Sequence, residues 1–301
     1  MRCLVTGGTG FIGSNLAKEL KKQGNDVIIT GHQLEQDVPG IKCIYPTFTN
    51  LKWEKLGKLD VVFHQAAITD TRILDKEEMF NVNVEASKEL FRQVVKYGCK
   101  RIVYASSTAS YGNEPAPYVE GKTKQNPLNP YGESKKLLDE FALKFAKEHP
   151  DVIIVGLRYC NVYGPGESHK GKMRCYPTQV AEQMVKGNPK LFKHGEQKRD
   201  YIYVKDVVRA NILASKAKQS CIVNCGSGKA TTFNEIVEIL NKVMRLNRKP
   251  EYIENPFVGK YQDYTLCDMS LAKELLGFVP EYDIEKGIKD YYDSGHLVPK
   301  Q

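Results

Sequence analysis

No apolar run in the 301-residue chain approaches the roughly 18 residues that a membrane-spanning helix needs. Cysteine occurs eight times but never as a C-x-x-C pair, and the six histidines do not cluster with it. Neither a disulfide framework nor a metal site is therefore expected. Several thiols sit in β-branched runs such as Cys221-Ile222-Val223, as reduced, buried thiols do, which implies a cytoplasmic compartment. Met1-Arg2-Cys3-Leu4-Val5-Thr6 runs straight into glycines, so no secretory leader is expected. Internal repeats and low-complexity tracts are lacking too, which excludes solenoid and fibrous architectures. Acidic residues are in deficit: 36 against 44 basic ones leave a net charge of +8. That surplus fits a lysine-rich solvated surface, or an anionic partner such as a nucleic acid, an acidic membrane or a phosphorylated small molecule.

What is present is an ordinary globular mixture, 41% hydrophobic and 27% charged, with length for one large or two ordinary domains. Short β-branched runs alternate with longer amphipathic segments through the first half. Strands are expected at Cys3–Thr6, Val27–Thr30, Asp60–His64, Arg101–Ala105 and Val152–Leu157. Helices are expected at about 12–23, 76–97 and 131–148. Such alternation implies right-handed βαβ units and a parallel sheet, and strands as apolar as Val61-Val62-Phe63 fit burial on both faces. Beyond about residue 160 the pattern loosens into Pro- and Gly-punctuated loops, among them Gly164-Pro165-Gly166 and Gly187-Asn188-Pro189. The fold class is thus α/β: a Rossmann-type doubly wound parallel sheet with a smaller, mixed C-terminal substrate domain. Residues 1–160 and about 200–232 are assigned to the first domain, about 161–199 and 233–301 to the second.

Thr6-Gly7-Gly8-Thr9-Gly10-Phe11-Ile12-Gly13 follows the first strand and opens a helix. Glycine is required where the chain turns tightly, where backbone meets pyrophosphate and where helix packs on strand. The helix N-terminus then offers N–H groups and a positive dipole end to the anion. With a strand before and an amphipathic helix after, Gly7, Gly10, Phe11, Ile12 and Gly13 are expected to hold NAD or NADP. The second strand ends in Thr30-Gly31-His32-Gln33 rather than in the acid that would hold the ribose hydroxyls of NAD. Repulsion against a 2′-phosphate is thereby removed and His32 is placed to approach one, which tilts the reading toward NADP.

Tyr131-Gly132-Glu133-Ser134-Lys135 is Y-x-x-x-K at a helix start. Residues four apart share a helical face, so the ammonium of Lys135 is expected beside the phenol of Tyr131 and should lower its pKa. Such a tyrosine can take a hydroxyl proton while a hydride leaves for nicotinamide. Twenty-four residues upstream of Tyr131, Ser107 stands at a strand end, where doubly wound sheets bind their ligands.

Together with His64-Gln65-Ala66-Ala67, Asn83-Val84-Glu85, Arg158-Tyr159-Cys160-Asn161-Val162-Tyr163-Gly164-Pro165 and Arg199-Asp200-Tyr201, these motifs occur in order along the chain. In this arrangement the sequence resembles the extended short-chain dehydrogenase/reductase family of NAD(P)-dependent nucleotide-sugar epimerases and dehydratases. The resemblance implies that Ser107, Tyr131 and Lys135 are the catalytic triad. It further implies that Ala66, Ala67 and Asn83 lie at the cofactor, and that Asn161 and Arg199 contact the sugar nucleotide. Sugar dehydratases of the family carry an Asp-Glu pair after the catalytic hydroxyl; Thr108-Ala109-Ser110 stands there instead, which favours epimerisation or simple oxidation. Glu167-Ser168-His169-Lys170-Gly171-Lys172-Met173, Pro189-Lys190-Leu191-Phe192 and Gly259-Lys260-Tyr261-Gln262 resemble the ADP-heptose 6-epimerase branch. That likeness implies a second acid/base at Lys170 and substrate contacts from His169, Leu191, Phe192 and Tyr261.

The resemblance implies a small-molecule nucleotide-sugar substrate, tightly bound dinucleotide and a homodimer paired through helices at about 84–97 and 134–148. Nucleic acid and membrane are then not needed to account for the charge. Three alternatives stand beside this reading: a UDP-sugar 4-epimerase, a net sugar-nucleotide dehydrogenase or reductase, and a non-catalytic dinucleotide-binding protein.

Overall fold

The structure, a computed structural model, describes residues 1–31, 38–45, 47–71, 73, 75–254 and 264–298. The first half alternates as its sequence periodicity requires. Strands β1 (Arg2–Thr6), β2 (Asp26–Thr30), β3 (Lys42–Ile44), β4 (Val61–His64), β5 (Arg101–Ser107) and β6 (Ile153–Tyr159) follow in order, with α-helices after β1, β4 and β5. These are α1 (Phe11–Lys22), α2 (Lys76–Phe80), α3 (Ser87–Lys96) and α4 (Pro130–Glu148). The helix expected at about 76–97 is interrupted: Asn81–Ala86 is π-helical and joins α2 to α3. Helix α4 starts one residue early because Asn129 caps it, its Oδ1 accepting from the Gly132 N–H at 2.9 Å, with Pro130 in the first turn.

Regular structure reaches further past residue 160 than the Pro and Gly punctuation suggests. It comprises β7 (Asn161–Tyr163), α5 (Tyr176–Lys186), β8 (Lys190–Phe192), β9 (Lys198–Tyr203), α6 (Val204–Ala214) and β10 (Cys221–Cys225). Then come β11 (Ala230–Thr232), α7 (Phe233–Met244), β12 (Glu251–Ile253), α8 (Ser270–Leu276) and α9 (Ile284–Asp293).

The main sheet has seven strands in the order β10-β6-β5-β4-β1-β2-β3, every neighbouring pair parallel. The order reverses between β1 and β4, so their carboxyl ends open a crevice at the topological switch point. One apolar cluster covers one face with Leu16 and Leu20 of α1 and Val207 and Ala210 of α6. Another covers the opposite face with Leu90 and Phe91 of α3 and Leu138 and Phe145 of α4. Full burial of a side chain such as Phe91 is worth about 1.5–3 kcal/mol, so these faces fix where the strand ends lie. Strands β11, β9 and β7 form a second, mixed sheet, and β12 pairs with β8 in a third. Tyr163, Tyr203, Val237 and Ile288 belong to the core beneath them. Among the described residues no helix is long and apolar enough to cross a membrane.

Candidate active site

The glycine turn leaves β1 and enters α1. Gly7 adopts φ +63°, and a Cβ there would lie 2.8 Å from the Ala66 backbone. A Cβ on Gly13 would stand 2.1 Å from the Gly7 carbonyl oxygen. Both positions therefore admit only glycine, and the helix meets the turn closely enough for its N-terminus to face outward. The first turn of α1 contains no acidic residue to oppose an anion. The loop after β4 closes the other wall: Thr6 Oγ1 lies 2.7 Å from His64 Nδ1 and accepts the Ala66 N–H at 3.3 Å. His64 Nε2 lies 2.8 Å from Ser87 Oγ, and burial lowers the ring's pKa to about 3, so the imidazole is a neutral strut.

Between these walls lies a cavity of about 510 Å³, lined by Gly7, Gly10, Phe11, Ile12, Gly13, Thr30, Gly31, Ala66 and Ala67 among others. Every described residue predicted to hold the dinucleotide through the turn or the Ala66 loop thus faces one space. A phosphate-sized approach to bare backbone, a helix N-terminus without acid and a cavity of this size fit a dinucleotide. Thr47, Phe48, Thr49, Glu78 and Val82 also line it and were not anticipated; the short β3 that leads to Thr47–Thr49 gives little periodic signal. Asn83 is fully buried rather than exposed to the cavity. It binds both backbone groups of Ile68, accepting from the N–H at 2.8 Å and donating to the carbonyl at 2.9 Å, and donates to Ser134 Oγ at 3.1 Å. The π-helical stretch thereby ties the cavity wall to α4. His32 and Tyr261 lie outside the described residues.

Ser107 ends β5, and Tyr131 and Lys135 open α4. The Ser107 hydroxyl accepts the Ala109 N–H at 3.1 Å and faces Tyr131 closely enough to favour its phenolate. Lys135 is 3% exposed, donates to the Ala105 carbonyl at 2.9 Å and stands 5.7 Å from the Tyr131 ring centroid. The expected lowering of the Tyr131 pKa is not the net effect: burial raises it, and the Ser107 hydroxyl only partly offsets that. The lysine bears the larger consequence, since burial lowers its pKa to about 8 against the pull of Asp139.

Asp139 extends the series Tyr131, Lys135 by one more helical turn, a spacing that could have revealed it. Its carboxylate accepts from Tyr104 Oη at 2.8 Å and Arg158 Nε at 2.7 Å. Arg158 also donates to Tyr111 Oη at 2.8 Å, and Tyr111 donates to Asn224 Oδ1 at 2.8 Å. One buried polar chain therefore links α4 to β5, β6 and β10. Thr108 and Ala109 stand where a dehydratase would carry two carboxylates; Thr108 Oγ1 donates to the Tyr159 carbonyl at 3.2 Å, and in the next position Ser110 Oγ donates to the Ser107 carbonyl at 2.9 Å.

The residues expected at the substrate are more dispersed. Asn161 donates to the Asp200 carbonyl at 3.0 Å, and the Arg199 guanidinium lies 5.7 Å from the Phe233 ring centroid. Leu191 is buried in β8, with Phe192 beside it half-buried. His169 and Lys170 line the same cavity as the glycine turn. Cys160 and Cys267 place their sulfurs 2.9 Å apart near Asp200, whose carboxylate already accepts from Ser227, Gly228 and Cys267.

Residues 3–226 match the NAD-dependent epimerase/dehydratase family. The chain belongs to that family, and it is an enzyme. The Helicobacter pylori ADP-L-glycero-D-manno-heptose-6-epimerase is 36% identical, with a TM-score of 0.88 over 99% of this chain and 96% of that one. UDP-glucose 4-epimerase from Thermotoga maritima, solved with UDP-glucose, is 29% identical with a TM-score of 0.87, over 98% and 99%. MoeE5, solved with UDP-glucuronic acid and NAD, is 28% identical with a TM-score of 0.86, over 98% and 100%.

Proposed function

We propose that the protein is an epimerase of a nucleoside-diphosphate sugar, acting through transient oxidation of one sugar carbon, with an ADP-heptose as the first substrate class. The observation that carries this reading is the Ser107–Tyr131 pair beside buried Lys135, at the strand ends that also present the glycine turn. Tyr131 takes the proton of a sugar hydroxyl and later returns it. Ser107 donates a hydrogen bond to the oxygen on which charge develops. Lys135 supplies the positive charge that makes a phenolate tolerable in a buried setting, and Asp139 keeps that charge in place. A bound nicotinamide supplies the acceptor for hydride and its return to the opposite face. Gly7, Gly10, Phe11, Ile12, Gly13, Ala66 and Ala67 hold the dinucleotide, and Asn161 and Arg199 serve the sugar nucleotide. Thr108 and Ala109, where dehydratases of the family carry carboxylates, support epimerisation over loss of water.

The 36% identity to a heptose epimerase supports ADP-heptose over the UDP-sugars named for the other two structures. The lack of an acid in Thr30-Gly31-His32-Gln33 supports NADP as a ligand beside the NAD seen in MoeE5. We further read the chain as a cytoplasmic homodimer pairing through α3 and α4, where Leu143 is exposed. The test is incubation with ADP-glycero-manno-heptose and with UDP-glucose, followed by NMR of the recovered sugar. Inversion of one carbon without net reduced cofactor is expected. Reduced nicotinamide accumulating with product would make the enzyme a net oxidoreductase, and a protein that takes up no dinucleotide would overturn the reading.

A further inference from the structure

Lys170 stands apart from the triad and against the phosphate-binding turn. Its Nζ lies 5.7 Å from the ring centroid of Phe11, the first residue of α1, and its side chain lines the turn's cavity. It is the only lysine or arginine among the described residues of that lining, where Glu78 is the only carboxylate. The loop that carries it is fastened to α1. Asn15 Nδ2 donates to the Pro165 carbonyl at 2.8 Å, and Gly166, at φ +100°, packs where a Cβ would sit 3.5 Å from Phe11. The buried Glu167 carboxylate accepts from the N–H groups of Gly164 at 3.2 Å and Cys175 at 2.6 Å, and from Thr178 Oγ1 at 2.6 Å. Both ends of the segment are therefore pinned, and the lysine is delivered to the positive pole of a 12-residue helix that has no acid in its first turn.

We propose that Lys170 is a binding residue for the diphosphate of the dinucleotide, closing over the helix N-terminus from the side opposite the glycines. This deepens the proposed function and rests on it, since it requires a dinucleotide at the turn. The ammonium rests over the Phe11 ring, and its flexible stem lets it swing from there to phosphate oxygens at the turn. A cation and a helix N-terminus sharing one anion give charge-assisted hydrogen bonds from two directions. The role differs from proton exchange with the sugar, which would require Lys170 at the substrate carbon facing Tyr131.

The test compares the wild type with Lys170→Met and Lys170→Arg, measuring binding of NAD, ADP and adenosine by calorimetry at low and moderate salt. Met should weaken NAD and ADP about tenfold and leave adenosine unchanged, with the loss smaller at higher salt. Arg should keep affinity within about threefold. Circular dichroism and melting of the variants exclude a folding defect. Lys170→Met binding NAD and ADP as the wild type does would overturn the proposal; loss of epimerisation alongside that unchanged binding would return the lysine to an acid/base role. Wild-type protein that binds neither NAD nor ADP would instead bring down the proposed function itself.

Discussion

At the scale of single residues the site is governed by the cost of burying charge. Tyr131→Phe keeps the ring and loses the proton acceptor, so turnover should fall by about 10³-fold or more while dinucleotide affinity stays within twofold. Steady-state rates and calorimetry check both halves. Lys135 permits a sharper statement. The unfolded chain holds this proton to the ordinary lysine value of 10.5, while the folded protein releases it through about 8. Between those values unfolding takes up a proton, so stability rises with pH across that window; below it the full cost, on the order of 3 kcal/mol, is borne. Lys135→Met should therefore abolish turnover yet melt several degrees higher than the wild type at pH 7, with the gain shrinking toward pH 10. Scanning fluorimetry across that range would refute the argument if the variant were less stable at pH 7. The pair Tyr131 and Lys135 was legible because i, i+4 spacing is a property of the helix alone. The direction of the tyrosine's pKa was not, because desolvation depends on what packs around it.

At the scale of elements, the turn from β1 to α1 was readable for the same local reason: glycines have few other uses at that spacing. A methyl group on Gly13 would collide with backbone rather than a movable side chain, so Gly13→Ala should weaken dinucleotide binding at least tenfold and lower the melting temperature. Titration with NAD tests the first effect and fluorimetry the second. Asn83 marks the limit of such reading. Its role depends on a π-helical stretch that helical periodicity does not announce, and on Ile68 and Ser134, fifteen and fifty-one residues away. Asn83→Ala, which drops both bonds to Ile68, should raise KM and lower kcat together by loosening the cavity wall. The Asp139 chain was hidden likewise, since Arg158, Tyr111 and Asn224 meet only when three strands are in register.

Over the whole molecule, the parallel sheet was evident from alternation, and residues at about 200–232 were assigned to the same domain, but the pairing of β10 alongside β6 was not legible, because it depends on contacts far apart in sequence. The net charge of +8 divides between groups at the site, such as Lys170, and the exposed Lys21 and Lys22 on α1. The topology also dictates an order of assembly. Strand β6 ends at Tyr159, but the strand that covers its open edge, β10, is not complete until Cys225. In between, the chain leaves to build β7, α5, β8, β9 and α6. During synthesis, then, a strand buried along most of its length waits with its backbone unpaired on one side while some sixty more residues leave the ribosome. A chain ending at residue 215 should express and pellet as aggregate, whereas one that extends past β10 should regain solubility; sedimentation of the two would tell. The late strand is thus a timing constraint on biogenesis as much as a part of the sheet, and it makes the interval between Tyr159 and Cys225 the period when the nascent enzyme most depends on chaperones.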